Sequence, residues 1–186
     1  MTYILGLDIS TSVIGMAVMD LDKKLIHYRN LKMNSKDDLE IRCWQFKQEL
    51  LNVFEDYAFD DVYVEQPAMM FGGGRTTAQT MSKLQRFNGM CCYAVYTQTF
   101  LVPHLVHANS ARKKMNISIP RNVKKKKHFI IQEVQKKYPS FTYDITRHGN
   151  PKPGTDDIAD AIVIAHYGVS VHKEGLNAVG EDKTSK

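Results

Sequence analysis

The sequence predicts an α/β domain with a mixed sheet, three antiparallel strands followed by parallel strands, and helices on both faces. Short apolar segments with period-two spacing fill the first thirty residues, and apolar residues at helical spacing then alternate with short strand segments. The chain has no internal repeat, and its 186 residues are the size of one compact domain. We expect this domain to span residues 1–172, with a disordered polar tail over residues 173–186.

The predicted elements follow in a simple order. Strands are predicted over residues 3–8, 14–20 and 24–29, and the turn residues between them predict an antiparallel meander. The later predicted elements are a helix over residues 37–57, a strand over 61–65, a helix over about 78–98, a strand over 105–107, a helix over about 124–138 and a last helix from 155 to about 171. Glycines at 72–74 and the segment 140–154 predict loops. This order of strands and helices is typical of α/β domains.

The composition favours a protein of a reducing compartment. Hydrophobic residues make up 43% of the chain and charged residues 24%, as in ordinary soluble domains. No apolar segment approaches the roughly 20 residues that span a bilayer. At the N-terminus we expect a strand rather than a signal peptide, because Asp8 interrupts the apolar segment and no basic region precedes it. Three cysteines, Cys43, Cys91 and Cys92, show neither metal-site nor disulfide spacing. We therefore expect the cytoplasm (the host-cell cytoplasm for a viral protein) and no membrane partner.

The positive charge of the chain is concentrated in one segment. The net charge is +5, yet residues 112–127 contain eight basic residues and no acidic one. The remaining sequence has 17 basic and 20 acidic residues and is mildly acidic. A local basic patch is typical of proteins that bind a polyanion, because neutralised phosphates release counterions. A solvated, lysine-rich start of a helix is the alternative.

Four carboxylates are candidates for a metal site. Asp8 ends the first strand, Glu65 ends the fourth, and Asp157 and Asp160 project from the same face of the last helix. Four ionised carboxylates share one site only with a cation, and oxygen ligands alone select hard ions such as Mg²⁺ or Mn²⁺. Two such ions would activate water and stabilise the leaving oxygen of a phosphodiester.

Each acid also has a structural explanation. Asp156 and Asp157 fall in the first turn of the last helix, where the macrodipole favours acids. Asp8 could cap the turn that follows it, and Glu65 could begin a loop. Asp160 lies in the second turn among apolar residues, where an ionised carboxylate is costly unless a cation pairs with it. The structural explanations therefore weaken when the four acids are considered together.

Several segments, in their order, resemble the motifs of RuvC-type Holliday-junction resolvases (crossover junction endodeoxyribonucleases) of the ribonuclease H-like superfamily. They are residues 4–8 with 14–18 (ILGLD and IGMAV), 64–66 (VEQ), 83–89 (KLQRFNG) and 157–162 (DIADAI). The resemblance covers roughly residues 4–169. Ribonucleases H proper carry the glutamate in the first helix, proofreading exonucleases carry D-x-E on the first strand, and integrases end in a glutamate. One departure is Ile9-Ser10, where the family often has Pro-Gly.

The resemblance implies a structure-specific endodeoxyribonuclease that resolves four-way DNA junctions by metal-dependent hydrolysis with paired symmetrical nicks. Asp8, Glu65, Asp157 and Asp160 would be the catalytic residues and the ligands of two Mg²⁺ ions, for which Mn²⁺ could substitute. The partners would be branched DNA and a second copy of the chain, because two symmetrical cuts fit a twofold dimer. By analogy the dimer face, or alternatively only a core stripe, is formed by Gly89, Met90, Cys91, Ala94 and Val95.

The resemblance also implies residues that contact DNA. In the loop after Glu65, Phe71 would act as an apolar wedge at the junction centre, or would fill the core instead. The basic candidates for phosphate contacts are Arg75, Arg112, Lys113, Lys114, Arg121, Lys124, Lys125, Lys126 and Lys127. Lys125 and Lys126 best match the position at which family members carry a functional lysine. His148, for proton transfer, and Asp156 are auxiliary candidates.

Three other functions are compatible with the sequence. The segment 6–11 (GLDIST) would hold phosphate in a fragment of an actin-like ATPase, but the chain is too short for the second lobe of such proteins. A catalytically inactive DNA-binding module is possible on the same fold, although the intact acid set argues against it. A less specific nuclease that debranches DNA differs from a resolvase only in its substrate range.

Overall fold

The computed structural model describes residues 2–67 and 77–181, which contain five strands and five helices. In chain order they are β1 (Tyr3–Ile9), β2 (Val13–Asp20), β3 (Leu25–Lys32), α1 (Leu39–Asp56), β4 (Phe59–Glu65), α2 (Ala78–Thr99), β5 (His104–Val106), α3 (Ala108–Lys114), α4 (Lys126–Lys137) and α5 (Thr155–Glu181). No helix in these two ranges is long and apolar enough to cross a membrane.

The strands form one mixed sheet in the order β3-β2-β1-β4-β5. The first three strands pair antiparallel, whereas β4 pairs parallel with β1 and β5 pairs parallel with β4. Leu7 of β1 lies beside Val64 of β4, so the C-terminal ends of these two strands meet at one edge of the sheet. The predicted fold class is therefore confirmed.

Each face of the sheet covers its own hydrophobic core. Leu5 and Leu7 of β1 pack with α1 and α2, whereas Ile4 packs with α3, α4 and α5. Successive side chains of a strand point to opposite faces, so Asp8 shares the face of Ile4 and Glu65 shares the face of Tyr63. Because Tyr63 also belongs to the core beneath α5, both acids end their strands on the face that α5 covers.

Glycines let α5 lie directly against the sheet. A Cβ at Gly6 would stand 2.4 Å from the carbonyl oxygen of Ala161, and one at Gly15 would stand 2.0 Å from that of Asp157. Gly15 is also the strand partner of Asp8. The first turns of α5 are therefore seated over the end of β1, which carries Asp8.

Most elements agree with the sequence predictions to within about three residues, and two elements differ more. Helix α3 was not predicted, because it has seven residues, of which only Ala111 is buried, and so shows no hydrophobic periodicity. Helix α5 continues to Glu181, about ten residues beyond its predicted end. Residues 171–176 are exposed or half-buried, so the apolar pattern ends before the helix does. The predicted domain boundary at residue 172 falls inside this helix, and residues 182–186 lie outside the described ranges.

Candidate active site

Three carboxylates from three different elements converge at the C-terminal edge of the sheet. Asp8 of β1, Glu65 of β4 and Asp160 of α5 each offer an oxygen atom, and these atoms lie within 4.8 Å of one another. They are the one such acidic or mixed group that could hold a metal within residues 2–67 and 77–181. Their spacing suits one divalent cation, or a pair of cations about 3.5–4 Å apart as in two-metal hydrolases.

Asp157 lies at the edge of this group, one helical turn before Asp160. Its charge contributes to raising the pKa of both Asp8 and Glu65, so it faces the same space. The contact between its backbone carbonyl and Gly15 fixes where it stands. Three of the four predicted metal ligands therefore form the close group, and Asp157 lies outside it, on the same helix as Asp160.

Burial and mutual repulsion make the ionised acids costly. Burial, followed by the charges of Glu65, Asp160 and Asp157, raises the pKa of Asp8 well above its usual value. Burial and the charge of Asp160 raise the pKa of Glu65 to about 7, although Arg112 acts against this. Burial and the charge of Asp156 raise the pKa of Asp157 to about 6. A cation among these groups would relieve the cost, and a donor set made only of oxygens fits Mg²⁺ or Mn²⁺.

Two basic side chains flank the acids. The Nη2 of Arg112 donates a hydrogen bond to Oδ1 of Asp160 at 3.1 Å. Burial raises the pKa of Asp160, and the neighbouring Arg112 charge opposes that rise. On the other side, Lys127 forms an ion pair with Asp156, which raises the pKa of this lysine. The same pair offsets the effect of burial on Asp156 and lowers its pKa, so Asp156 is the partner of Lys127 rather than a member of the acid group.

Polar contacts behind the site hold its backbone in place. Ser10, not Asp8, closes the turn after β1, because its Oγ donates to the carbonyl of Val13 at 2.7 Å and accepts from its N–H at 3.1 Å. Arg42 is buried and donates to three backbone carbonyls, including that of Thr11 in the same turn at 2.5 Å. Asn88 donates to the carbonyl of Glu65 at 3.4 Å. The ends of β1 and β4 are therefore anchored from both sides.

The lysine segment 124–127 borders the acids on the side of Lys127. Its four lysines line a cavity of about 500 Å³ together with Asn150, Lys152 and Asp156. The ammonium of Lys125 donates to Oδ1 of Asn150 at 3.1 Å, whereas that of Lys127 pairs with Asp156. Within the segment, Lys127 is thus the lysine with an ion pair to an acid next to the group, and the role predicted for Lys125 and Lys126 stays a prediction.

Other predicted DNA contacts have different surroundings. Lys113 and Arg121 are exposed. Lys114 pairs with Glu174 at 2.5 Å. His148 is exposed, and its Nε2 accepts a hydrogen bond from the neighbouring Arg147 at 3.0 Å. Phe71 and Arg75, with Met69, Met70 and the glycines at 72–74, lie outside the described residues.

The predicted dimer face is in part a core face. Cys91, Ala94 and Val95 are buried in the core between α1, α2 and the sheet, as the alternative explanation required. The solvent-facing side of α2 instead presents Tyr93 and Tyr96, whose exposed fractions are 69% and 43%. Phe100, just after the helix, is 80% exposed.

The contact of Arg112 with the acid group was not predicted from the sequence. This arginine was assigned to phosphate contact as part of a basic segment, but it contacts an acid of the site and only 20% of its side chain is exposed. The available signal was Asp160 itself, since a carboxylate among apolar residues needs a cationic partner.

Comparisons with known proteins agree with this geometry. No protein-family model and no curated protein matches the sequence. Among solved structures, Thermus thermophilus RuvC matches with a TM-score of 0.65 and 14% identity, over 94% of this chain and 97% of that one. T. thermophilus RuvC in complex with a Holliday junction substrate matches with a TM-score of 0.63 and 15% identity, over 93% of this chain and 96% of that one.

A mitochondrial relative is also similar. The yeast mitochondrial Holliday junction resolvase matches with a TM-score of 0.56 and 15% identity, over 90% of this chain and 78% of that one. At such identities the likeness concerns the fold. The chain has the ribonuclease H-like fold of the RuvC-type resolvases.

Proposed function

We propose that the chain is a metal-dependent endodeoxyribonuclease that resolves four-way DNA junctions by paired symmetrical nicks. The observation that carries the proposal is the group formed by Asp8, Glu65 and Asp160, whose oxygens lie within 4.8 Å of one another on a sheet of the resolvase fold. The likeness of the fold to that of a mitochondrial Holliday junction resolvase, and to that of a RuvC bound to a Holliday junction, supports the choice of DNA junctions.

The acids would hold two Mg²⁺ ions, or Mn²⁺ in their place, with Asp157 joining the three closest carboxylates as the fourth ligand. Bound Mg²⁺ would supply activation of water and neutralisation of charge on the phosphate. The rest of the site acts through its own residues. Ser10 and Arg42 hold the turn that follows Asp8, and Asn88 holds the backbone of Glu65. The ammonium of Lys127, paired with Asp156 beside the acids, stabilises charge that develops on the phosphate.

Basic residues around the site would bind the DNA backbone. The lysine segment 124–127 lines an open cavity next to Asp156, within reach of a strand whose phosphate lies at the acids. Exposed Lys113 and Arg121 extend the positive surface. Such contacts orient the strand without reading its sequence.

Paired nicks call for two active sites related by a twofold axis, so we propose a homodimer. The face of α2 with Tyr93, Tyr96 and the adjoining Phe100 is exposed and aromatic. Exposed aromatic side chains grouped on one face are typical of protein interfaces. A dimer through this face would leave the acid site, on the opposite face of the sheet, free for DNA.

The test is a cleavage assay on matched substrates. A four-way junction, a three-way junction and a duplex of the same sequence, each labelled on every strand, are incubated with Mg²⁺, Mn²⁺, Ca²⁺ or EDTA. We expect nicks at symmetrical positions on two opposing strands of the four-way junction, with Mg²⁺ or Mn²⁺ only. Equal cutting of the three-way junction would indicate a debranching nuclease, and equal cutting of the duplex would exclude a structure-specific enzyme.

A further inference from the structure

Arg112 stands between the acid group and a neighbouring depression in the surface. Its Nη2 donates to Asp160 at 3.1 Å, and 20% of its side chain is exposed. On its other side it lines a depression of about 550 Å³. The remaining residues of this depression are Asn109, Lys113, Asn116, Ile117, Ser118 and Ile119. The guanidinium of Arg112 therefore has two candidate partners, the carboxylate of Asp160 and an anion bound in the depression.

The present conformation leaves Arg112 incompletely bonded. Its Nε is buried and has no hydrogen-bond partner among the described residues. A buried donor without a partner disfavours the conformation that contains it, and such groups are rare in native proteins. The contact with Asp160 therefore gives the carboxylate a hydrogen-bond donor but leaves the Nε donor of the arginine without an acceptor among the described residues.

The contact with Asp160 also competes with the proposed role of that acid. When Asp160 ligates a metal, its carboxylate has less negative charge to offer Arg112, and the guanidinium is free to take another anion. A guanidinium binds phosphate through two parallel hydrogen bonds, which a carboxylate already engaged elsewhere cannot offer. The depression beside Arg112 is lined by Lys113, by amide and hydroxyl groups and by two isoleucines, and its cationic and polar groups suit the backbone of a DNA strand.

We propose that Arg112 exchanges partners: it holds Asp160 in the metal-free protein and binds a phosphate of the DNA strand in the adjacent depression once Asp160 ligates metal. The inference rests on the proposed function, because it takes the acid group as a metal site and DNA as the substrate. Arg112 is a positioning residue in the first state and a substrate-binding residue in the second. It would thereby couple metal loading to tighter binding of DNA.

The test compares junction binding with and without metal. Wild type, Arg112→Met and Arg112→Lys are titrated with a labelled four-way junction at equal ionic strength, in EDTA and in Ca²⁺, and the Kd is measured by fluorescence anisotropy. Calorimetry with Ca²⁺ alone first gives the metal affinity of each variant, so that each is measured at saturation. Lys136→Met is the matched control, because Lys136 is an exposed lysine paired with Glu133 at the far end of α4.

We expect Arg112→Met to bind the junction as wild type does in EDTA and at least about tenfold more weakly in saturating Ca²⁺, because the variant loses both charge-assisted hydrogen bonds to the phosphate. Arg112→Lys keeps the charge without the two parallel bonds, so its affinity should fall less and again only in Ca²⁺. Lys136→Met should match wild type in both conditions. If Arg112→Met does not fold, the lysine variant decides the question.

Two results would overturn the exchange of partners. An equal weakening in EDTA and in Ca²⁺ would make Arg112 an ordinary phosphate contact. Unchanged junction binding at saturating Ca²⁺, with weakened metal affinity alone, would limit Arg112 to holding Asp160. Both results leave the proposed function intact, whereas failure of the wild-type protein to bind or cut any junction would overturn the function itself.

Discussion

Asp160 is the acid whose position has the clearest physical explanation. It lies in the second turn of α5, beyond the turn in which the macrodipole favours acids, and its side chain is only 16% exposed. Arg112 balances part of its charge, yet the pKa of Asp160 is still raised, first by burial. A carboxylate held at such a cost is best explained by a ligand that is more strongly positive than one arginine.

Asp160→Asn tests this explanation, because it keeps the shape and removes the charge. We expect the variant to bind four-way junctions as well as wild type and to lose nearly all cutting with Mg²⁺. Without metal its melting temperature should equal or exceed that of wild type, because repulsion with Asp8 and Glu65 is relieved. Calorimetric melting and a junction gel are the two measurements. Full cutting by folded Asp160→Asn would refute the metal site.

At the scale of the residue, the acids could be predicted and their partners could not. Asp8 and Glu65 end apolar strands, which is visible in the sequence. No such sign marks Arg112, because it is one of eight basic residues in a single segment and only packing selects it. The same holds for Lys127, because it is one of four consecutive lysines and only packing places it against Asp156.

At the scale of the element, the basic segment 112–127 contains both a largely buried arginine that contacts an acid and lysines that are exposed to solvent. Arg112 belongs to α3 and faces the acids, whereas Lys124, Lys125 and Lys126 are exposed around the start of α4. Helix α3 escaped prediction because a short polar helix has no apolar stripe, while α5 was foreseen from its continuous apolar face. Length and burial, rather than composition, decide which helices a sequence reveals.

Lys124, Lys125 and Lys126, three of the four exposed lysines at the start of α4, should dominate the salt dependence of DNA binding. Replacing Lys124, Lys125 and Lys126 by glutamine should weaken binding to any DNA sequence. The slope of log K against log salt should become shallower by about 0.9 for each phosphate that the protein no longer neutralises. Lys136→Gln, on the same helix, is the control and should leave the slope unchanged. An unchanged slope in the triple variant would make the segment a solvated helix end.

At the scale of the whole molecule, the sheet separates the proposed catalytic site from the proposed dimer interface, because each lies on a different face. One face of the sheet carries α5 and the acids, and the other carries α1 and α2 with the exposed aromatic side chains. The element order predicted this arrangement, because alternating strands and helices cover both faces. It could not show which side of α2 faces solvent, since Tyr93 and Cys91 are close in sequence and opposite in burial.

We expect the protein to be a homodimer in solution and the double variant Tyr93→Asp, Tyr96→Asp to be a folded monomer. Both tyrosines are exposed, so their replacement should leave the melting temperature of the monomer little changed. Light scattering gives the mass, and the junction gel should show single nicks in place of paired ones. Leu176→Asp, which removes an exposed apolar side chain from α5, should remain a dimer. A monomeric wild type that still makes paired nicks would contradict the proposal.

The close approach of Gly15 to α5 means that the site depends on the absence of a side chain at position 15. Metal ligands must be held to within about 0.5 Å of their working positions, and a single methyl group is thicker than that tolerance. Gly15→Ala would place its methyl group against the carbonyl of Asp157 and tilt the first turn of α5 away from Asp8. We expect cutting to fall at least about 100-fold, junction binding to persist, and stability to drop by about 1–3 kcal/mol.

Gly175→Ala is the matched control, because a Cβ at Gly175 meets nothing within 4 Å, and it should cut normally. Normal cutting by Gly15→Ala would mean that the helix can give way without disturbing its acids. The expected result means that Gly15, which takes no part in the chemistry, sets the distance between β2 and the first turn of α5 on which hydrolysis depends. In a series of Gly15 variants, the rate of cutting would then fall as the side chain at position 15 becomes larger, although every acid, lysine and arginine of the protein is unchanged.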